Sequence, residues 1–301
     1  MHYDFVPISK RKPLRWPNGK RLAVMLTNNL EHWDKVKDST KPYYPGGPGI
    51  VGGDLPANVY DNPNFTWREY GQRVGIWRIM EVFDKFGVPS TCTMNAKTAL
   101  ERRDIIEAAK ERGWELVAHN YVQSELLTDY MFDENKEREI IRETLRIYKD
   151  AVGKPAKGWL SSSLRSTLNT IDILAEEGLI FITDLLNDDQ PYLVQTRSGK
   201  PMVSIPYTSE VNDFTVFMRQ GMDVDGAFKV FKEQFDWLYE ESATSGRFMN
   251  IGLHPHVIGQ PFRIRALRDF IAYAKQFDDI WFATREEIAE WYLQNHHTHI
   301  G

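Results

Sequence analysis

Residues 22–33 read LAVMLTNNLEHW. The apolar run from Leu22 to Leu26 has the composition of a buried strand, and it leads directly into Asn28, Asn29, Glu31 and His32. A carboxylate and an imidazole held at the mouth of a rigid strand are the raw material of acid–base or metal-assisted hydrolysis. The competing reading is a strand that ends in a solvated turn. The rest of the chain decides between them, by showing whether other strands bring matching residues to the same end.

Downstream, apolar runs alternate with helical periodicity. A helix is predicted from Trp67 to Phe86, with Val74, Trp77, Ile79, Met80 and Phe83 on one face and Gly87 as its stop. Further strands are predicted at Ser90 to Met94, Trp114 to Ala118, Ala156 to Leu160, LIFITD, MVSIPY, FMNIGLH and IWFA. Helices separate them, at about 97–112, 134–150, 167–177 and 224–241 and after Pro261. Thr284 and Glu287 read as a capping box for the last helix. Eight strand-like runs alternating with helices predict an α/β fold, a distorted (β/α) barrel. No linker-like change of composition divides the chain. The expected organisation is an arm over 1–20, one catalytic barrel over 21–295 and a solvated tail over 296–301 that holds three histidines. The Gly- and Pro-rich stretch from 34 to 66 is a candidate lid, and Tyr43 and Tyr44 within it could equally form an interface.

Composition narrows the function. The 301 residues are 42% hydrophobic and 13% aromatic, with nine Trp, enough for a sizeable core and a walled pocket. A net charge of −5 with mixed signs argues against a nucleic-acid partner. No apolar run reaches the ~18 residues of a membrane span, and the N-terminus lacks the apolar core of a secretory signal, so a cytoplasmic location is expected. Cys92 is the only cysteine and falls in an apolar strand, where an inert core thiol is expected.

In such barrels the site lies at the C-terminal ends of the strands. The residues there are Glu31 and His32, Asn95, His119, Trp159, Asp184, the segment from Tyr207 to Asp213, and His254. Glu31, His119 and His254 are therefore the catalytic candidates, with His256, beyond Pro255, in support. One divalent metal is an open alternative, held by His119, His32 and Gln123, although a side-chain amide is a poor zinc ligand. No G-x-S-x-G elbow surrounds the Ser161–Ser162–Ser163 run, and no phosphate-binding glycine fingerprint occurs.

Taken together, RWPNGKRLAV, NLEHW, YGQRVGIWR, GVPSTCTMNA, ELVAHNY, GWLSSS, NDDQPYLV, IPYTSEVND, LHPHVIGQP and WFATREEIAEWY resemble the polysaccharide deacetylase superfamily. The resemblance is to the branch containing allantoinases and cyclic imide hydrolases. The superfamily implies a distorted (β/α) barrel and metal-dependent amide hydrolysis, and its members suggest a homo-oligomer. Carried over residue by residue, Glu31 stands at the base Asp, His32 at the ligand Asp, His119 and Gln123 at the two ligand histidines, and His254 at the late catalytic histidine. The resemblance also implies pocket roles for Asp188, Glu210, Asn212 and Asp213. Asn29, Tyr121 and Trp159 complete the expected substrate-binding set. The expected reaction is hydrolysis of a C–N bond in a small cyclic amide, with Glu31 as base, His254 as acid, and His119 with His32 on the oxyanion. The alternatives are a metal-dependent deacetylase of an N-acetylated sugar and a non-catalytic binding protein on the same scaffold.

Overall fold

The computed structural model describes residues 2–34, 49–52, 55 and 59–300. Most of the candidate lid, with Tyr43 and Tyr44, lies outside the described residues. Nine strands occur among those described: β1 (Leu22–Leu30), β2 (Thr91–Met94), β3 (Glu115–Ala118), β4 (Gly158–Trp159), β5 (Phe181–Ile182), β6 (Tyr192–Val194), β7 (Met202–Ser204), β8 (Arg247–Leu253) and β9 (Ile280–Phe282). They form one curled sheet in the order β6-β7-β5-β4-β3-β2-β1-β8, with β9 on β1.

β1 is the spine of the sheet. β8 pairs with it from Leu22 to Asn28, so the other edge is shared: β9 takes Leu22 to Val24 and β2 takes Thr27 to Leu30. Every pairing is parallel except β6 with β7, an antiparallel hairpin. Of this hairpin β6 is the ninth strand, which periodicity missed, because three residues are too few to show an alternation. Helices cover the outside, and the architecture is the expected distorted (β/α) barrel.

The helices follow their local signals, with two informative departures. Val224–Glu241 is one helix, N-capped by Asp223 and burying Phe231, Phe235 and Leu238. Arg285–Asn295 opens with the complete Thr284/Glu287 capping box. The helix expected from Trp67 instead begins at Asn62, and a π-helical turn at Gly71–Gly75 interrupts it. That turn rotates the buried face, leaving Val74 and Trp77 more than one-third exposed while Ile76 and Ile79 are buried. The helix expected over 97–112 is broken at Arg102 into Ala96–Glu101 and Arg103–Glu111.

Two apolar clusters sandwich the sheet. The larger lies between strands and helices and contains Leu22, Val24, Leu26 and Leu30 of β1. The smaller plugs the N-terminal end of the barrel with Ala23, Met25, Val117, Phe181, Phe248 and Tyr292, and Leu14 and Trp16 of the N-terminal segment close it. His299, expected in a solvated tail, is buried and bonded to the Tyr292 hydroxyl and Gln190. Cys92 is buried, and burial pushes its thiol pKa up, so it is the inert core thiol that was expected. No helix among the described residues is long and apolar enough to cross a membrane.

Candidate active site

The period of two along each strand decides what reaches the barrel interior. On β1 the even positions join the outer cluster and Ala23 and Met25 the inner one, so Thr27, Asn29, Glu31 and Trp33 continue up the interior face. On β8, Met249, Ile251 and Leu253 point outward, which puts Phe248, Asn250, Gly252 and then His254 inside. On β3, Val117 is inside and His119 follows it. Glu31, His119 and His254 consequently line one cavity of about 140 Å³, together with Asn29, Gln123 and Asn212.

The helix carrying Gly71 and Gly75 brings His254 and His256 close. A Cβ on Gly75 would lie 2.0 Å from the Pro255 carbonyl oxygen, and one on Gly71 would lie 2.5 Å from the His256 nitrogen. Only glycine lets the His-Pro-His segment lie directly on that helix.

His254 sits between two carboxylates. Asp213 accepts its Nδ1–H at 2.7 Å, and its Nε2 lies 3.5 Å from Glu31 Oε1. Asp213 is itself fixed by the backbone N–H groups of His254 (2.6 Å) and Ile258 (3.1 Å). Burial disfavours the imidazolium, but Asp213 and Glu31 outweigh burial and push the pKa of His254 up to about 10. Burial likewise opposes ionisation of Glu31, yet His254 beside it, with His256 and His119 further off, holds the carboxyl down at about 2. At neutral pH the pair is therefore a carboxylate base next to a protonated acid.

His119 donates Nδ1–H to the Leu160 carbonyl at 2.5 Å, so its Nε2 is a lone-pair acceptor, and burial lowers its pKa. This Nε2 and Gln123 Oε1 are buried with no hydrogen-bond partner among the described residues. The third member of the expected metal set is missing from the cavity. His32 is an even position of β1's continuation and turns outward, with its ring nitrogens 3.6 Å from Asp34 and 3.8 Å from Glu101. One imidazole and one amide do not make a divalent-metal site, and among the described residues no three His, Cys, Asp or Glu side chains cluster to hold one. His32 is thus corrected on both counts, as ligand and as substrate contact.

Five further expectations are corrected. Tyr121 faces an outer depression beside Ala99 and Ile147, because it follows the turn after His119 rather than the strand. Trp159 is fully buried core, its indole N–H donated to Ser161 Oγ at 3.0 Å. Asp188 grips Arg11 with both oxygens and lies near the start of β8, at the barrel end opposite the cavity. Glu210 is exposed on the rim, and its neighbours Ser209 and Asn212 line the cavity instead. Asp213 lies behind His254 and does not line the cavity. Asp184, an unassigned strand-end acid, accepts the Ser161 N–H at 2.6 Å below the cavity wall, and burial raises its pKa to about 6.

Of the remaining lining residues, His256 was expected only in a supporting role and the others had no role assigned. His256 lines the cavity and packs edge-on against Trp67. Arg68 stacks on Trp33 with 4.1 Å from guanidinium to ring centroid. Ser163 and Leu164 hold positive φ values of 55° and 59°, a pair of strained non-glycine residues of the kind that collects at functional sites. A π-helical segment, Phe214–Arg219, brings Phe214 edge-on to His254. Tyr207 lines the cavity with its hydroxyl against Asn29 and Asn212. A tyrosine at a strand end was the only sequence signal for it.

Fold and site together define a distorted-barrel hydrolase class in which strand-end acids and histidines meet. No protein-family model matches the chain. The crystal structure of a PuuE allantoinase is 32% identical over 93% of both chains, with a TM-score of 0.84. The crystal structure of a probable polysaccharide deacetylase from Pseudomonas aeruginosa PAO1 is 32% identical, covering 93% of this chain and 94% of the other, with a TM-score of 0.83. A Schizosaccharomyces pombe protein named "Putative polysaccharide deacetylase" is 28% identical over 93% of each chain. The chain belongs to the polysaccharide deacetylase superfamily, on its allantoinase branch.

Proposed function

We propose that this protein hydrolyses a C–N bond of a small cyclic amide, of the allantoin, hydantoin or imide kind, with Glu31 as general base and His254 as general acid. The observation that carries the reading is the Asp213–His254–Glu31 line. It stores a proton on the imidazole and keeps an adjacent carboxylate ionised.

Glu31 takes a proton from water, and the new hydroxide attacks the ring carbonyl. The C–N bond then breaks, and the leaving nitrogen takes the proton from His254 Nε2. The proton on Glu31 crosses the 3.5 Å to the now neutral His254, which resets the pair. His119 Nε2 and Gln123 Oε1 present acceptors to the bound ring. A cavity of about 140 Å³ lies below the ~300 Å³ at which drug-sized ligand pockets begin, and so suits a single small ring.

The metal-dependent sugar deacetylase is the weaker reading, because its ligand set does not assemble. A hydrolysis screen over hydantoins, cyclic imides, ureides and chitooligosaccharides, with and without chelator, tests the choice. Ring opening that survives chelation supports the proposal, and chelator-sensitive acetate release refutes it. Glu31→Gln is expected to lower kcat by about 10²–10⁴ with KM changed only a few-fold. Wild-type turnover in that variant removes Glu31 from its role.

A further inference from the structure

The Tyr207 hydroxyl is used twice as an acceptor. Asn29 donates to it from Nδ2 at 3.2 Å and Asn212 from Nδ2 at 3.1 Å. Both amide orientations are fixed by independent partners. The Leu253 carbonyl, which can only accept, meets Asn29 Nδ2 at 3.1 Å, and Thr93 Oγ1 donates to Asn29 Oδ1 at 2.9 Å. The Phe214 backbone N–H, which can only donate, meets Asn212 Oδ1 at 2.9 Å. Neither asparagine can be turned to accept from the phenol.

A phenolic oxygen carries one proton to donate. That proton has no acceptor among the described residues, and Tyr207, only 5% exposed, lines the cavity. The ring is held in place on two further sides. A Cβ on Gly252 would lie 2.1 Å from the hydroxyl, so β8 presses directly against it. The Arg285 guanidinium, buried in the barrel, lies 5.7 Å from the ring centroid. Burial also raises the phenol's pKa, which keeps the proton in place across the working range.

We propose that Tyr207 is a catalytic residue whose O–H donates a hydrogen bond to the scissile carbonyl oxygen and holds that oxygen as it becomes negative. The role rests on the ring-opening reaction above. The phenol keeps its proton throughout: the carbonyl π pair moves onto oxygen as hydroxide adds to carbon, and returns when the C–N bond breaks. Asn29 and Asn212, by donating to the phenol, aim its proton and do not touch the reacting atoms.

Tyr207→Phe keeps the ring and deletes the donor. The expected result is a kcat lower by about 10²–10³, the usual effect of removing one oxyanion donor, with KM changed less than about threefold. Asn212→Ala removes an incoming bond and loosens the phenol's aim but leaves the donor, so its kcat is expected to fall by clearly less than that of Tyr207→Phe. A Tyr207→Phe kcat within threefold of wild type overturns the assignment, as does an equal loss in both variants, which a merely structural network would produce. If the wild type releases acetate from chitooligosaccharides and opens no ring, the ring-opening reading falls, and the same two variants judge Tyr207 on acetate release. A wild type inert toward both classes overturns both proposals.

Discussion

Replacing Asp213 by Asn tests the line of charges that defines the site. The carboxylate accepts three N–H groups, from His254 Nδ1, His254 N and Ile258 N, at 2.7, 2.6 and 3.1 Å. An amide has one oxygen for those three donors, and its NH₂ must face either a backbone N–H or the imidazole. In the second case His254 is driven to the tautomer with its proton on Nε2 and its lone pair on Nδ1, so it no longer holds an imidazolium proton toward the leaving nitrogen. The rise of the His254 pKa from 6.5 to about 10 corresponds to on the order of 5 kcal/mol in favour of the imidazolium, and Asp213 is the strongest of the groups that raise it. Losing it leaves Glu31 as the sole counter-charge. The same swap behind a catalytic histidine in a serine protease lowers kcat by about 10⁴. Here a loss of about 10³–10⁴ in kcat is expected, with the alkaline limb of kcat/KM moving at least about one pH unit toward neutrality. The assay is a pH–rate profile of ring opening for both proteins. A loss smaller than tenfold with an unmoved alkaline limb refutes the line as the catalytic device.

Two further outcomes follow from the same geometry. The folded-state pKa of His254 is raised, so its stabilising effect is fully present below pH 6.5 and lost as pH rises through about 10; that of Glu31 is lowered, so its effect is present above pH 4.5 and lost as pH falls through about 2. The pair thus contributes fully between pH 4.5 and 6.5, and the wild-type Tm should fall more steeply than that of His254→Gln between pH 7 and 10; parallel curves refute this. Trp159→Ala should cost about 3–5 kcal/mol in denaturant unfolding, as a core deletion does, while any enzyme that remains folded keeps its KM; a KM raised tenfold at unchanged stability would return Trp159 to the pocket wall.

The stretch 22–33 carried much of this in its order. A strand leading to Glu31, and two others leading to His119 and His254, follow from apolar periodicity and from the placement of barrel sites at strand ends. Adjacent residues on an extended chain point to opposite faces. Glu31 and His32 therefore could never share the cavity, and alternation alone predicts their separation. Which of the two faces inward depends on Ala23 and Met25 joining the cluster that plugs the barrel, a contact made by residues distant in the sequence. Asp188 and Glu210 lie near strand ends in the sequence, but the chain carries Asp188 back to the opposite end of the barrel, onto Arg11.

The sequence by itself determined the alternation of elements, the barrel class, and the acid and imidazoles at three strand ends. Tertiary structure alone decided their states and partners. Asp213 comes to His254 across 41 residues of chain and Tyr207 to Asn29 across 178. Protonation and hydrogen-bond direction depend on burial and on neighbours in space, and local sequence specifies neither.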